Sequence, residues 1–116
     1  MAGEQGKKFG AWVSSAISSG TSTSAINLGL PFQKVLVLVP TISSATVAVS
    51  VAMATGGDYF PVYQLKGENT GDTLYTTNAT TATKAVIFDI GGAQFIKVVF
   101  SATQTTKTVY VRGFNP

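Results

Sequence analysis

The acids of the chain are Glu4, Asp58, Glu68, Asp72 and Asp89, and paired carboxylates are the first place to look for chemistry. Two of them frame a glycine-rich run, Glu68-Asn69-Thr70-Gly71-Asp72, which offers oxygen donors of the kind a calcium ion takes. The run lacks the alternating ligands and the closing bidentate glutamate of an EF-hand loop, so a solvated loop is the expectation. Glycoside hydrolysis needs two carboxylates converging across a cleft, and these five stand apart, mostly beside turn residues. Serine is plentiful, but a serine nucleophile needs a base, and the chain has no histidine and no G-x-S-x-G turn. With no cysteine either, thiol nucleophiles, disulfides and His/Cys metal or haem sites are excluded. Gly56-Gly57 and Gly91-Gly92 fit no phosphate-loop or dinucleotide fingerprint and read as turn glycines. The expectation is a protein that is not an enzyme and holds no cofactor or metal.

What must then be positioned is surface rather than a reacting group. The 116 residues suffice for one domain with one core. Charged residues are only 11%, well below the usual ~25%, and polarity comes instead from 16 threonines and 10 serines. Threonine is stiff at χ1, and the 12 glycines cost entropy in helices, so the composition favours short strands joined by Gly/Ser/Thr turns. Net charge is +3 and the pI is near 9.3, but apart from Lys7-Lys8 the basic residues stand singly. Nucleic-acid binders concentrate lysine and arginine on one face or helix, so no nucleic-acid partner is expected. The longest apolar stretch, 35–40, is far short of the ~20 residues that span a bilayer. Ser14 and Ser15 interrupt the run after Lys7-Lys8 that a secretory signal would need. No membrane partner is expected, and synthesis in a cytoplasm is.

Along the chain, residues 1–10 (MAGEQGKKFG) combine three glycines with charge and predict a flexible N-terminal arm, leaving 11–116 as a single domain. Residues 12–17 suit a short helix or a first strand. Strands are predicted at 24–28, at 33–39 and at 45–53, where Val47, Val49 and Val51 alternate with Ala48 and Ser50. The 33–39 segment (QKVLVLV) is apolar on both faces, which predicts a central strand covered on two sides and closed by Pro40. Residues 59–65 carry Pro61, which demotes that strand to an edge. A weak strand is expected around Leu74-Tyr75. Residues 84–90 and 93–100 bracket Gly91-Gly92, a hairpin signal, and 107–114 forms the last strand. Seven or eight strands without a helix predict an all-β fold, an antiparallel β-sandwich, with a jelly-roll order as one form and a small barrel as the alternative.

Phe60, Phe88, Phe95 and Phe100 are the expected aromatic core. Tyr59, Tyr63 and Tyr75 lie near loops, where an exposed row would suit stacking on a sugar and make the chain a carbohydrate-binding or adhesion module. Residues 35–39, Phe114 and a mean hydropathy of +0.29 imply more apolar surface than so small a domain buries alone, which points to a homo-oligomer or to docking on a larger surface.

The order of these segments resembles a group of small tailed-bacteriophage virion proteins. The matching pieces are residues 22–29 (STSAINLG), 47–51 (VAVSV), 55–62 (TGGDYFPV), 92–98 (GAQFIKV) and Thr103-Gln104, within roughly 20–113. The chain departs from that pattern at Val51-Ala52-Met53, where family members often carry a more polar strand. The resemblance implies a structural protein of the virion, a head-decoration (cement) protein or a neck, tail or fibre component. Its partners would be the major capsid protein or other virion proteins, with a trimer as the expected state, and it brings no catalytic residues. On that reading Lys7, Lys8, Phe9, Trp12 and Phe114 are the candidate contacts with the capsid or with neighbouring subunits.

Overall fold

A computed structural model of the chain describes residues 8–17, 20–65, 72–74 and 83–116, with side chains described outside 63–65 and 72–74. Among these residues every regular element is a strand: β1 (Val13–Ile17), β2 (Ile26–Val39), β3 (Val47–Ala52), β4 (Phe60–Pro61), β5 (Tyr63–Leu65), β6 (Asp72–Leu74), β7 (Lys84–Phe100) and β8 (Lys107–Phe114). Six of them form one open antiparallel sheet in the order β1-β8-β2-β7-β3-β4, and β5 pairs with β6 apart from it. The all-β antiparallel fold is as expected. The hydrogen bonding of the six main strands, however, runs through one continuous sheet.

Two long strands make this possible. Gly91-Gly92 does not reverse the chain; it sits inside β7, which runs 17 residues without a turn. Likewise Gly29-Leu30-Pro31 lies inside the 14-residue β2 instead of separating two strands. Gly29, Gly91 and Gly92 all take positive φ (91°, 63° and 90°), a conformation that lets a strand change direction without ending. The β2–β7 register shifts between Asn27 and Lys34, opposite Gly91-Gly92, which marks irregular pairing there. On one side of it Ile26 pairs with Ile96; on the other, residues from Lys34↔Asp89 to Val39↔Lys84 pair in regular register. Asn27 clasps the irregular stretch: its Oδ1 accepts from the Gly29 N–H (2.8 Å) and from Gln94 Nε2 (3.0 Å).

The inner residues of this sheet form the core. Val35, Val37 and Val39 of β2, Phe88, Ile96 and Val98 of β7, Val47 and Val49 of β3, and Val109 and Val111 of β8 form one buried cluster. β3 and β8, separated by two strands in the sheet, thus contribute to one buried cluster. Like Phe88 on β7, Phe32 at the irregular stretch of β2 is fully buried. Gly113 and Gly10 make room for its ring: a Cβ on Gly113 would run into it, and one on Gly10 would come within 2.9 Å of Phe32 Cζ. Of the phenylalanines expected in the core, Phe88 and Phe100 are buried and Phe95 is half-buried. Phe60 is 57% exposed, because β4 is a two-residue edge strand with only β3 beside it.

Among the described residues two polar side chains are buried with the core, and both replace missing backbone pairing. Thr23 Oγ1 accepts from the Val98 N–H and donates to the Ser24 carbonyl. Gln104 donates to the Ser43 and Ala102 carbonyls and accepts from the Ser43 N–H (2.7 Å) and from Lys107 Nζ (2.9 Å). These bonds pin the 40–46 turn, where Thr41 and Ser44 take positive φ, to the start of β8.

Candidate docking surface

Strand alternation turns every second residue of β8, β2 and β7 away from the core. The outward residues of β2 are Lys34, Leu36 and Leu38, each half-buried, so this central strand is not covered on two sides as its composition suggested. The register places Leu36 between Ile87 and Arg112, and Leu38 between Ala85 and Tyr110. Ile87 is 51% exposed and Tyr110 46%, so the outer face presents an apolar strip to solvent. At one end of the strip Leu38, Pro40, Ala85 and Tyr110 line a shallow groove of about 270 Å³.

The other end is aromatic and cationic. Phe9 is 60% exposed and Trp12 45%, and the Arg112 guanidinium lies 5.2 Å from the ring centre of one and 5.3 Å from that of the other. Both distances are within cation–π range. Arg112 Nε also donates to the Gly10 carbonyl (2.8 Å), which holds the guanidinium in register with the chain leading into β1. The backbone fixes the rest: Phe9 bridges Phe114, the Gly10 N–H donates to the Gly113 carbonyl, and the Asn115 N–H donates to the Lys8 carbonyl, each bond 2.8 Å. Residues 8–10, expected within an arm, therefore run alongside the end of β8.

Of the five candidate contacts, the structure brings Phe9, Trp12 and Phe114 together around the end of β8, with Lys8 exposed beside them. Lys7 lies outside the described residues. Arg112, Ile87 and Tyr110 went unnoticed in the sequence. The alternation of Val109 and Val111 with Tyr110 and Arg112 held the signal, because it sets the last two on the face opposite the core. Lys34 and Asp89 share the outer face as a solvent-exposed ion pair (3.5 Å), a contact that adds little stability.

The remaining candidates are placed less favourably. Tyr59 is half-buried, its hydroxyl donates to the Thr55 carbonyl (3.0 Å), and Lys97 Nζ caps one face of its ring at 4.5 Å. The Tyr63 side chain and Tyr75 lie outside the described residues, as does Glu68 of the carboxylate loop; of Asp72 only the backbone position on β6 is described. Among the described residues no three acidic, histidine or cysteine side chains gather into a metal-binding group. A second groove, of about 430 Å³, runs between Met53, Phe60 and Phe95 over Gly91-Gly92, and its lining carries no ionisable side chain. Comparison with protein families, with curated proteins and with solved structures finds no match.

Proposed function

We propose that the chain is a non-enzymatic structural protein that docks by its outer sheet face on a larger assembly, as a head-decoration (cement) protein of a tailed-phage virion. The observation that carries this reading is the cluster of Phe9, Trp12 and Arg112, exposed yet held by backbone hydrogen bonds to β8. Tryptophan, tyrosine and arginine dominate the energetics of protein interfaces, because each buries a large, stiff surface and keeps a polar handle. Here all three types share one face, with Leu36 and Ile87 beside them on β2 and β7. Anchors already fixed lose little conformational freedom on binding. The cations on and beside this face, Lys8, Lys34 and Arg112, favour an acidic, partly apolar patch on the head exterior as the receiving surface. The virion assignment itself rests on the resemblance of residues 20–113 to small virion proteins.

Mass spectrometry of purified virions should find the chain in many copies per particle, and cryo-electron microscopy should place it on the head exterior with the Trp12 face inward. Its absence from particles would overturn the reading. With undecorated heads as the probe, Trp12→Ala and Arg112→Ala should each weaken binding at least tenfold while leaving circular dichroism unchanged.

A further inference from the structure

We propose that β1 is a dimerisation edge, at which a second copy of the chain adds its own β1 antiparallel to extend the sheet across a twofold axis. The six-stranded sheet is open and has two edges, β1 and β4. The β4 edge is guarded in the usual manner: it is two residues long and ends in Pro61, which has no N–H to offer. The β1 edge has none of these protections. It is five residues long, carries no proline and no charge, and pairs with β8 through five successive registers without a bulge. Among the described residues no strand lies on its other side.

The choice of a second copy as the occupant comes from the strand's own sequence. Val13-Ser14-Ser15-Ala16-Ile17 is nearly symmetric in residue character about Ser15. Antiparallel pairing of two copies about that residue sets Val13 opposite Ile17 of the second copy on the core side. On the outer side it sets Ser14 opposite Ala16 of the second copy, and Ser15 meets its own counterpart on the axis. Apolar residues meet apolar ones, small meet small, and no like charges face each other, which is what a cross-strand pair requires. The contact is isologous and therefore closes as a dimer. A threefold ring through the same edges would need β1 of one copy to pair with β4 of the next, and Pro61 leaves that edge with little to give. The pairing stands whether or not the outer face docks on a capsid. Where it does dock, two Trp12 faces side by side multiply the affinity of one.

Because the chain has no cysteine, a single Ser15→Cys substitution tests the geometry directly. Directly opposed residues of an antiparallel pair have Cα atoms ~4.5–5.5 Å apart, within the range a disulfide spans. Mild oxidation should crosslink the Ser15→Cys protein rapidly and nearly completely. The same substitution at exposed Thr105, on the loop before β8, should crosslink far more slowly. Sedimentation of the unmodified chain at high micromolar concentration should give roughly 24 kDa, twice the 12.0 kDa chain. The double variant Ser14→Lys/Ala16→Lys should sediment as a monomer with an unchanged circular dichroism spectrum. Mixing it with Ser14→Glu/Ala16→Glu should restore the dimer, because each introduced lysine then faces a glutamate. A monomeric or trimeric wild type would overturn the proposal. So would equal crosslinking of the two cysteine variants, or a lysine variant that still dimerises; loss of head binding with the dimer intact would overturn only the docking reading.

Discussion

Gln104 does with one side chain what a strand does with its backbone. It is 1% exposed and uses its carbonyl and amide on Ser43, Ala102 and Lys107, so every polar atom it brings into the core is satisfied. Gln104→Leu would leave the Ser43 N–H and two carbonyls without their partner, at a cost of about 2–3 kcal/mol. At ~4 °C per kcal/mol for a domain of this size, the melting temperature should fall by about 8–12 °C in a calorimetric scan. A fall of only a degree or two would mean that water replaces the amide. Its neighbour Lys107 adds a pH dependence. Burial pushes the Lys107 ammonium below the ordinary lysine value of 10.5, although its Nζ donates to the Thr41 carbonyl and to Gln104 Oε1. The folded chain then gives up this proton at lower pH than the unfolded chain, so unfolding takes one up between the two values. Below that window the desolvation cost is present in full; across it, stability rises with pH. Urea unfolding should therefore show wild type gaining on Lys107→Met as pH is raised toward the ordinary lysine value of 10.5. A difference that is flat or falls with pH would show that the two hydrogen bonds outweigh burial.

At the scale of elements, the tightest fit lies where β8, the approach to β1 and the irregular stretch of β2 meet over Phe32. Gly113 is a β8 residue whose Cβ would occupy the place of the Phe32 ring, and strand backbone on both sides limits any retreat. Gly113→Ala should cost about 2–3 kcal/mol by overpacking, read as a lowered urea midpoint with an unchanged slope. Phe32→Leu in the same chain should recover part of that loss, so the double variant will be less destabilised than the sum of the singles. Additive costs would place the strain elsewhere. The same region shows what could and could not be read from residues alone. The 107–114 strand, the Val47/Val49/Val51 face and the edge role of Pro61 are local patterns, each written in a few consecutive residues, and all appear in the structure. Gly91-Gly92 is different. Two glycines between alternating apolar runs suit a hairpin turn and a through-strand irregularity equally well, and only the identity of the pairing partners separates them. Residues 84–90 find β2 and residues 95–100 find β3, so the chain passes through instead of turning back. The docking cluster was half legible for a similar reason. Phe9 and Trp12 are conspicuous near the start of the chain, but Arg112 joins them only through a register between segments a hundred residues apart.

For the whole molecule, the question is where the folded body begins. β1 lies at one edge of the sheet with the end of β8 beside it, so the segment before β1 has a surface to lie on. Lys8, Phe9 and Gly10 use it: two backbone hydrogen bonds join them to Gly113 and Asn115, and the Gly10 carbonyl accepts from Arg112. Gly10 also packs against Phe32, so the core reaches back to this residue. Composition alone draws the boundary after residue 10, because glycine and lysine there look like solvated chain. Removing residues 1–7 should therefore leave the melting temperature within a few degrees of the full chain, because it spares all three of these hydrogen bonds. Extending the deletion through Gly10 removes three hydrogen bonds of ~0.5–1.5 kcal/mol each and frees the Arg112 side chain from both Gly10 and Phe9. That longer deletion should lower the melting temperature by about 6–18 °C at ~4 °C per kcal/mol. It should also blue-shift or red-shift the emission of Trp12, the single tryptophan, as Arg112 leaves its ring. Hydrogen exchange gives an independent reading at the same place, since the Asn115 amide should be protected in the full chain and in the shorter deletion but not in the longer one. If both truncations melt alike and Asn115 exchanges freely throughout, residues 8–10 contribute nothing to the fold, and the aromatic cluster loses the rigidity on which its docking role depends.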